Sequence, residues 1–171
     1  FLRLAKLRGA FVVLTGSHAD RMEKARKFGA DIIIDRHTVD DQVKAVQDAL
    51  GGFGPDIVIE STGLPETWEL CVRMTRRAGT VLLFGGCKGG TTVTFETRKV
   101  HYDSITIKSP SVYLQTPDLL KRCLYLLSSK EIDGKEFISG RFPLKDTVTA
   151  VEKHMNREGL KYEVVPPSFW D

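Results

Sequence analysis

Four residues at the end of one apolar run have the chemistry to hold an anion. Phe11-Val12-Val13-Leu14 leads through Thr15 into Gly16-Ser17-His18, and Arg21 follows one turn on. A residue without a side chain leaves room for a ligand, while a hydroxyl, an imidazole and a guanidinium offer donors to phosphate oxygens. Residues 11–14 are apolar on both faces, the pattern of a buried parallel strand. Open α/β sheets take their ligands at the carboxyl ends of such strands. In dinucleotide-binding sheets the second strand ends in an acidic residue that accepts from the ribose 2′-hydroxyl. Gly16 occupies that strand end here. A carboxylate would repel a 2′-phosphate, whereas Ser17, His18 and Arg21 would attract one. The plainer reading is a strand-to-helix turn with its polar groups in water.

Two further strand ends carry small residues. Ser61-Thr62-Gly63 follows an expected strand over 56–60, and Gly85-Gly86 follows another over 79–84. Both could bring backbone close to a ligand, and both could be turns that simply need small residues. Cys87 lies beside the second, with nothing flanking it to make a nucleophile, so an inert thiol is expected. Cys71, Cys87 and Cys123 form no C-x-x-C pair and point to a reducing, cytoplasmic compartment. His18, His37, His101 and His154 have no metal-ligand spacing.

The elements that must position these residues alternate regularly. Helices are expected over 1–8, 20–28, 39–50, 65–77, 117–129 and 145–156, with a helical turn over 98–103. Strands are expected over 11–14, 31–35, 56–60, 79–84, 91–95, 105–108, 137–142 and 160–165. Thr38 or Asp40 is expected to cap the third helix, and Pro65 opens the next. Val148, Val151 and Met155 are expected to face inward, as is the leucine-rich face of Leu119, Leu120, Cys123, Leu124 and Leu127. The tail over 166–171 is expected to be mobile. Strands alternating with helices through short connections specify βαβ units, parallel pairing and an α/β, doubly wound sheet.

At 171 residues, 42% apolar and 27% charged, the chain has the composition of a soluble globular domain. A net charge of +3 spread along amphipathic helices argues against a nucleic-acid partner. No apolar run reaches the ~20 residues of a membrane span, and no signal-peptide pattern opens the chain.

In order and spacing, several stretches resemble the C-terminal half of medium-chain, zinc-containing alcohol and polyol dehydrogenases. They are RMEKARKFGADIIID, GPDIVIESTG, RRAGTVLLFGG, KVHYDSITIKS and the closing EIDGKEFISGRFPLKDTVTAVEKHMNREGLKYEVVP. The resemblance runs from residue 1 to about 166. It implies a Rossmann-type nucleotide domain over 1–134 that lacks its first, central strand and glycine-rich turn. A strand–helix–strand segment over 135–171 would return to a catalytic domain. In that family the zinc ligands lie in the catalytic domain, so the chain is expected to be a piece of a longer enzyme, without catalytic or metal-ligating residues of its own. That enzyme would move a hydride between NADP, rather than NAD, and a small alcohol or polyol.

The resemblance also implies roles for the strand-end residues. Gly16, Ser17, His18 and Arg21 would hold the 2′-phosphate, and Ser61, Thr62 and Gly63 would form a shelf under the adenine side. Gly85 and Gly86 would face the nicotinamide side, and Lys161 would reach the pyrophosphate. A homodimer is expected through the strand over 105–112, although Pro110 lacks a donor and weakens that edge. Six residues separate Tyr102 from Lys108, which excludes the Tyr-x-x-x-Lys pair of short-chain dehydrogenases. Two other readings stay open: a non-catalytic nucleotide-binding or interaction module, and a zinc-less quinone reductase. The DNA upstream of the Phe1 codon separates all three. With the central strand missing, the sheet is expected to divide between the strands near Val12 and Val58.

Overall fold

The computed structural model describes residues 1–110 and 116–167. Residues 111–112 of the expected dimer edge and 168–171 of the expected mobile tail lie outside the described residues. The helices are α1 (Leu2–Leu7), α2 (Ala19–Lys27), α3 (Gln42–Ala49), α4 (Pro65–Met74), α5 (Thr97–Tyr102), α6 (Pro117–Ser128) and α7 (Thr147–Met155). The strands are β1 (Val13–Gly16), β2 (Ile32–Asp35), β3 (Ile57–Glu60), β4 (Thr80–Leu83), β5 (Thr106–Lys108), β6 (Ile138–Pro143) and β7 (Lys161–Val165).

Among the described residues every strand pairing is parallel. β1 pairs with β2, β3 with β4 and β4 with β5, and β6 pairs with β7 across the helix α7. The expected division of the sheet is present: among the described residues β1 and β3 do not pair, and β3 exposes Ile57 and Ile59. Local chemistry sets the helix starts. Asp41 caps α3 by accepting from the Lys44 amide at 3.0 Å, and Thr116 caps α6 from the Leu119 amide. The cap is therefore Asp41 rather than Thr38 or Asp40. Thr38 instead donates its hydroxyl to the Asp35 carbonyl, closing the turn that precedes the helix. Pro65 opens α4, where its missing amide proton is not needed.

The chain forms two compact units. One comprises 13–17 and 32–115. Its core joins Ile34 of β2, Val43 and Val46 of α3, Val58 of β3, Cys71, Val72 and Met74 of α4, Val81 and Leu83 of β4, and Ile105. Residues 91–95 form no strand here; the Thr94 amide donates to the Glu69 side chain instead of to a neighbouring strand.

The other unit comprises 1–12, 18–31 and 116–171. Lys6 anchors it, donating to the Ala10 carbonyl at 3.0 Å and to Asp31 at 2.6 Å, while Asp31 also accepts from the Val12 amide. Phe28 stacks at a tilt on Phe137, and Arg141 pairs with Glu163 across β6 and β7. Two expectations fail in this unit. Leu119, Leu120, Cys123, Leu124 and Leu127 of α6 are exposed, not core. Val148, Val151 and Met155 of α7 are exposed too, because α7 buries Ala150 instead. A helical period fixes which residues share a face, but not whether anything covers it.

Candidate functional site

The ends of β3 and β4 meet at one buried carboxylate. Glu60 is the last residue of β3 and only 2% exposed. Its Oε1 accepts from the Thr62 amide at 2.6 Å, the Gly63 amide at 3.1 Å and the Thr62 hydroxyl; the Thr67 hydroxyl of α4 lies 2.9 Å away. Its backbone carbonyl accepts from the Phe84 and Gly85 amides at 2.9 and 3.1 Å. One residue thus ties the turn after β3 to the turn after β4.

Glycine is required where these turns touch. A Cβ on Gly63, whose φ is +73°, would sit on the Gly86 carbonyl. A Cβ on Gly85 would meet the Gly63 amide and stand 2.7 Å from Glu60 Oε2. Gly86 itself has nothing within 4 Å of that position. The Trp68 indole donates to the Gly85 carbonyl at 3.2 Å, bracing the second turn from α4. The two turns thus nest glycine against backbone, and Gly86 alone of the three leaves open space over bare main chain.

Burial pushes the Glu60 carboxyl up, but the hydrogen bonds from Thr62, Thr67 and Gly63 outweigh it and hold the group below the ordinary carboxylate range. It is an anion at neutral pH. Partial desolvation and the charges of Glu60 and Glu66 raise the Cys87 thiol. Cys87 is therefore a protonated thiol, in keeping with an inert role. Burial pushes the Cys71 thiol up to about 12.

The remaining candidates divide between the two units. Gly16 ends β1, and its carbonyl accepts from the Arg36 amide at 2.9 Å, while Thr15 accepts from Gln42 at 3.0 Å. Gly16 and Ser17 belong to the same unit as Glu60, and His18 and Arg21 to the other. His18 is the N-cap residue of α2, its carbonyl accepting from the Met22 amide at 3.0 Å. Arg21 donates to the Gly159 carbonyl at 3.3 Å, two residues before the exposed Lys161, and its Nε is buried without a partner among the described residues. So Ser61, Thr62, Gly63, Gly85 and Gly86 are gathered at one place, and Arg21 is tied to the segment that carries Lys161.

An open cleft of about 540 Å³ lies at Arg36, His37, Asp40, Asp41, Gln42, Leu70 and Arg73. Asp40 and Asp41 offset its arginines, and it contains none of the candidate residues. Among the described residues no three His, Cys, Asp or Glu side chains converge on a metal position. No helix among them is long and apolar enough to cross a membrane.

The family model described as zinc-binding dehydrogenase matches residues 1–128. The chain belongs to that family. The sorbitol dehydrogenase of Gallus gallus is 31% identical over 160 residues, covering 92% of this chain and 44% of the relative. The chain thus spans less than half the length of the curated relatives it matches. Benzyl alcohol dehydrogenase from Acinetobacter calcoaceticus superposes with a TM-score of 0.87 at 22% identity, over 95% of this chain and 45% of that one. A zinc-binding dehydrogenase from Sinorhizobium meliloti 1021, solved bound to NADP, gives 0.87 at 25% identity over 96% and 48%. The chain shares their α/β fold with parallel sheets.

Zinc and a dinucleotide fare differently against this chain's residues. No described cluster fits zinc, whereas the exposed backbone at Gly86, with nothing within 4 Å of its Cβ position, leaves room for a ligand that packs on main chain. Sequence reasoning missed Glu60 and Thr67. The available signal was an acid closing an apolar strand ahead of a small polar turn, with a threonine seven residues on.

Proposed function

We propose that this chain is the nucleotide-binding part of an oxidoreductase that moves a hydride between NADP and an alcohol or polyol. The observation that carries the proposal is the pair of strand-end turns locked on Glu60, in a chain of the zinc-binding dehydrogenase family. In this reading Ser61, Thr62 and Gly63 lie under the adenine side of the cofactor, and Gly85 and Gly86 lie along its nicotinamide side. Lys161 serves the pyrophosphate. The bound dinucleotide supplies the hydride chemistry; the chain's residues bind it and orient it. The relatives named for sorbitol and benzyl alcohol support a small alcohol or polyol as the substrate class. Zinc belongs to the longer enzyme in this proposal, on ligands outside the described residues. The division into a nucleotide domain over 1–134 and a returning segment over 135–171 belongs to the same reading, as does a reducing, cytoplasmic location.

NADP is preferred over NAD because Gly16, not a carboxylate, ends β1, with Ser17, His18 and Arg21 following in the chain. An NADP-bound neighbour of the same fold supports this. Steady-state kinetics on the full-length enzyme provide the test. The wild type should show the higher kcat/KM with NADP, and Gly16→Asp should reverse the order, since the new carboxylate repels the phosphate and accepts from the ribose. A wild type faster with NAD would refute the preference.

The free edge of β5 supports the homodimer, because among the described residues β5 pairs only with β4. Sedimentation at micromolar concentration should give a dimer, and a monomer would exclude it.

A further inference from the structure

We infer that Glu60 is a positioning residue for the dinucleotide, setting the shape of both strand-end turns through its side chain and its carbonyl together. The inference rests on the reading of those turns as the cofactor surface. Three observations carry it. First, a carboxylate 2% exposed sits at the end of β3, where a buried anion is costly without partners. Second, its partners come almost entirely from the turn it precedes: the Thr62 amide and hydroxyl and the Gly63 amide, with Thr67 from α4. Third, the residue reaches the other turn by two routes. Its carbonyl holds the Phe84 and Gly85 amides, and its Oε2 lies against the face of Gly85 that must stay bare.

The donor count explains why the group is a carboxylate. The donors converge on Oε1, and the Gly63 amide also reaches Oε2 at 3.3 Å, so the site asks for an acceptor at both oxygens. Glutamine would keep one acceptor oxygen but place an NH2 where Oε2 faces the Gly63 amide, donor facing donor. The turn at 61–63 would then open, and with it the nesting of Gly63 and Gly85 that sets where the open backbone of Gly86 stands. A residue doing nothing but stabilising the fold would change how much protein is folded. A residue shaping the surface changes how tightly each folded molecule holds the cofactor.

Fluorescence titration of the full-length enzyme with NADPH separates these, because it reports both Kd and the number of sites. In Glu60→Gln, Kd should rise by about tenfold or more, the scale of losing charge-assisted hydrogen bonds, with the stoichiometry unchanged. Thr67→Val removes a hydroxyl that lies 2.9 Å from Glu60 and 2.6 Å from Thr62, and leaves the charge in place. It should raise Kd by about threefold, and it decides the matter if Glu60→Gln does not fold. An unchanged Kd in both variants would overturn the positioning role, as would fewer sites at constant Kd. A wild type that binds neither NADPH nor NADH would remove the cofactor reading itself. A wild type that binds, beside variants that match it, would remove only the role of Glu60.

Discussion

The unit formed by 13–17 and 32–115 buries ten apolar side chains in one cluster spanning two sheets and the helices α3 and α4. In the unit formed by 1–12, 18–31 and 116–171, the buried apolar residues among those described are Ala25, Ala150 and Val165. That second unit shows many polar ties on its surface instead, including Lys6 with Asp31, Arg141 with Glu163 and Lys153 with Glu158. Apolar burial scales with area and is indifferent to salt, whereas exposed pairs are screened. The gathered candidate site, around Glu60, belongs to the unit with the core. Turns that must hold bare backbone to a fraction of an ångström need a rigid base, and a close-packed cluster provides one.

The largest effect should come from breaking that core. Val81 is fully buried in β4. Val81→Asp places a charge with no partner there and should cost roughly 3–5 kcal/mol, much of the stability of an ordinary domain. Leu124→Gln on the exposed face of α6 should change stability by no more than about 0.5 kcal/mol. Urea denaturation of the chain checks both, and equal effects would erase the contrast between the units.

A middle-sized effect sharpens the comparison within the site. Gly85→Ala drives a methyl group against Glu60 and the Gly63 amide and should cost about 1–3 kcal/mol. Gly86→Ala, one residue on, meets open space and should stay within about 0.5 kcal/mol of the wild type. If Gly85→Ala proves as stable as Gly86→Ala, the two turns do not nest as described.

The smallest effect concerns acid and salt. Glu60 lies below its ordinary range because of neutral donors, which outweigh its burial. Asp31 and Glu158 lie below theirs chiefly because of the side-chain hydrogen bonds from Lys6 and Lys153. A depressed carboxylate adds stability above its unfolded value and loses it as pH falls through the folded value. Both units should therefore weaken on acidification, beginning below the ordinary carboxylate values of 3.8 for Asp and 4.5 for Glu. High salt should blunt the acid response around Asp31 and Glu158 and leave that of Glu60 in place, since exposed pairs are screened and buried neutral donors are not. Hydrogen exchange read by mass spectrometry resolves the two units, and an equally salt-sensitive response at 57–67 would count against this account.

Much of this protein was legible from its residues. The break between β1 and β3 among the described residues is implied by the family resemblance and its missing central strand. The alternation of helices and strands and the parallel pairing follow from local period, turn chemistry and short connections. These signals act within a few residues and are written out along the chain. The small residues at 61–63 and 85–86 mark two strand ends in the sequence, and Gly16 a third. Tertiary structure decided what distant neighbours decide. The period of α6 shows its leucines sharing a face, and only packing shows that face exposed. The same holds for α7, where Ala150 rather than Val148 and Val151 is buried. Glu60 reads in sequence as a polar strand end, ordinarily bound for solvent. Its burial depends on amides from 62 and 63, a hydroxyl from 67 and a glycine at 85 arriving together. A carboxylate stays charged out of water only when enough donors converge on it, and that convergence is a property of three-dimensional packing rather than of spacing along the chain.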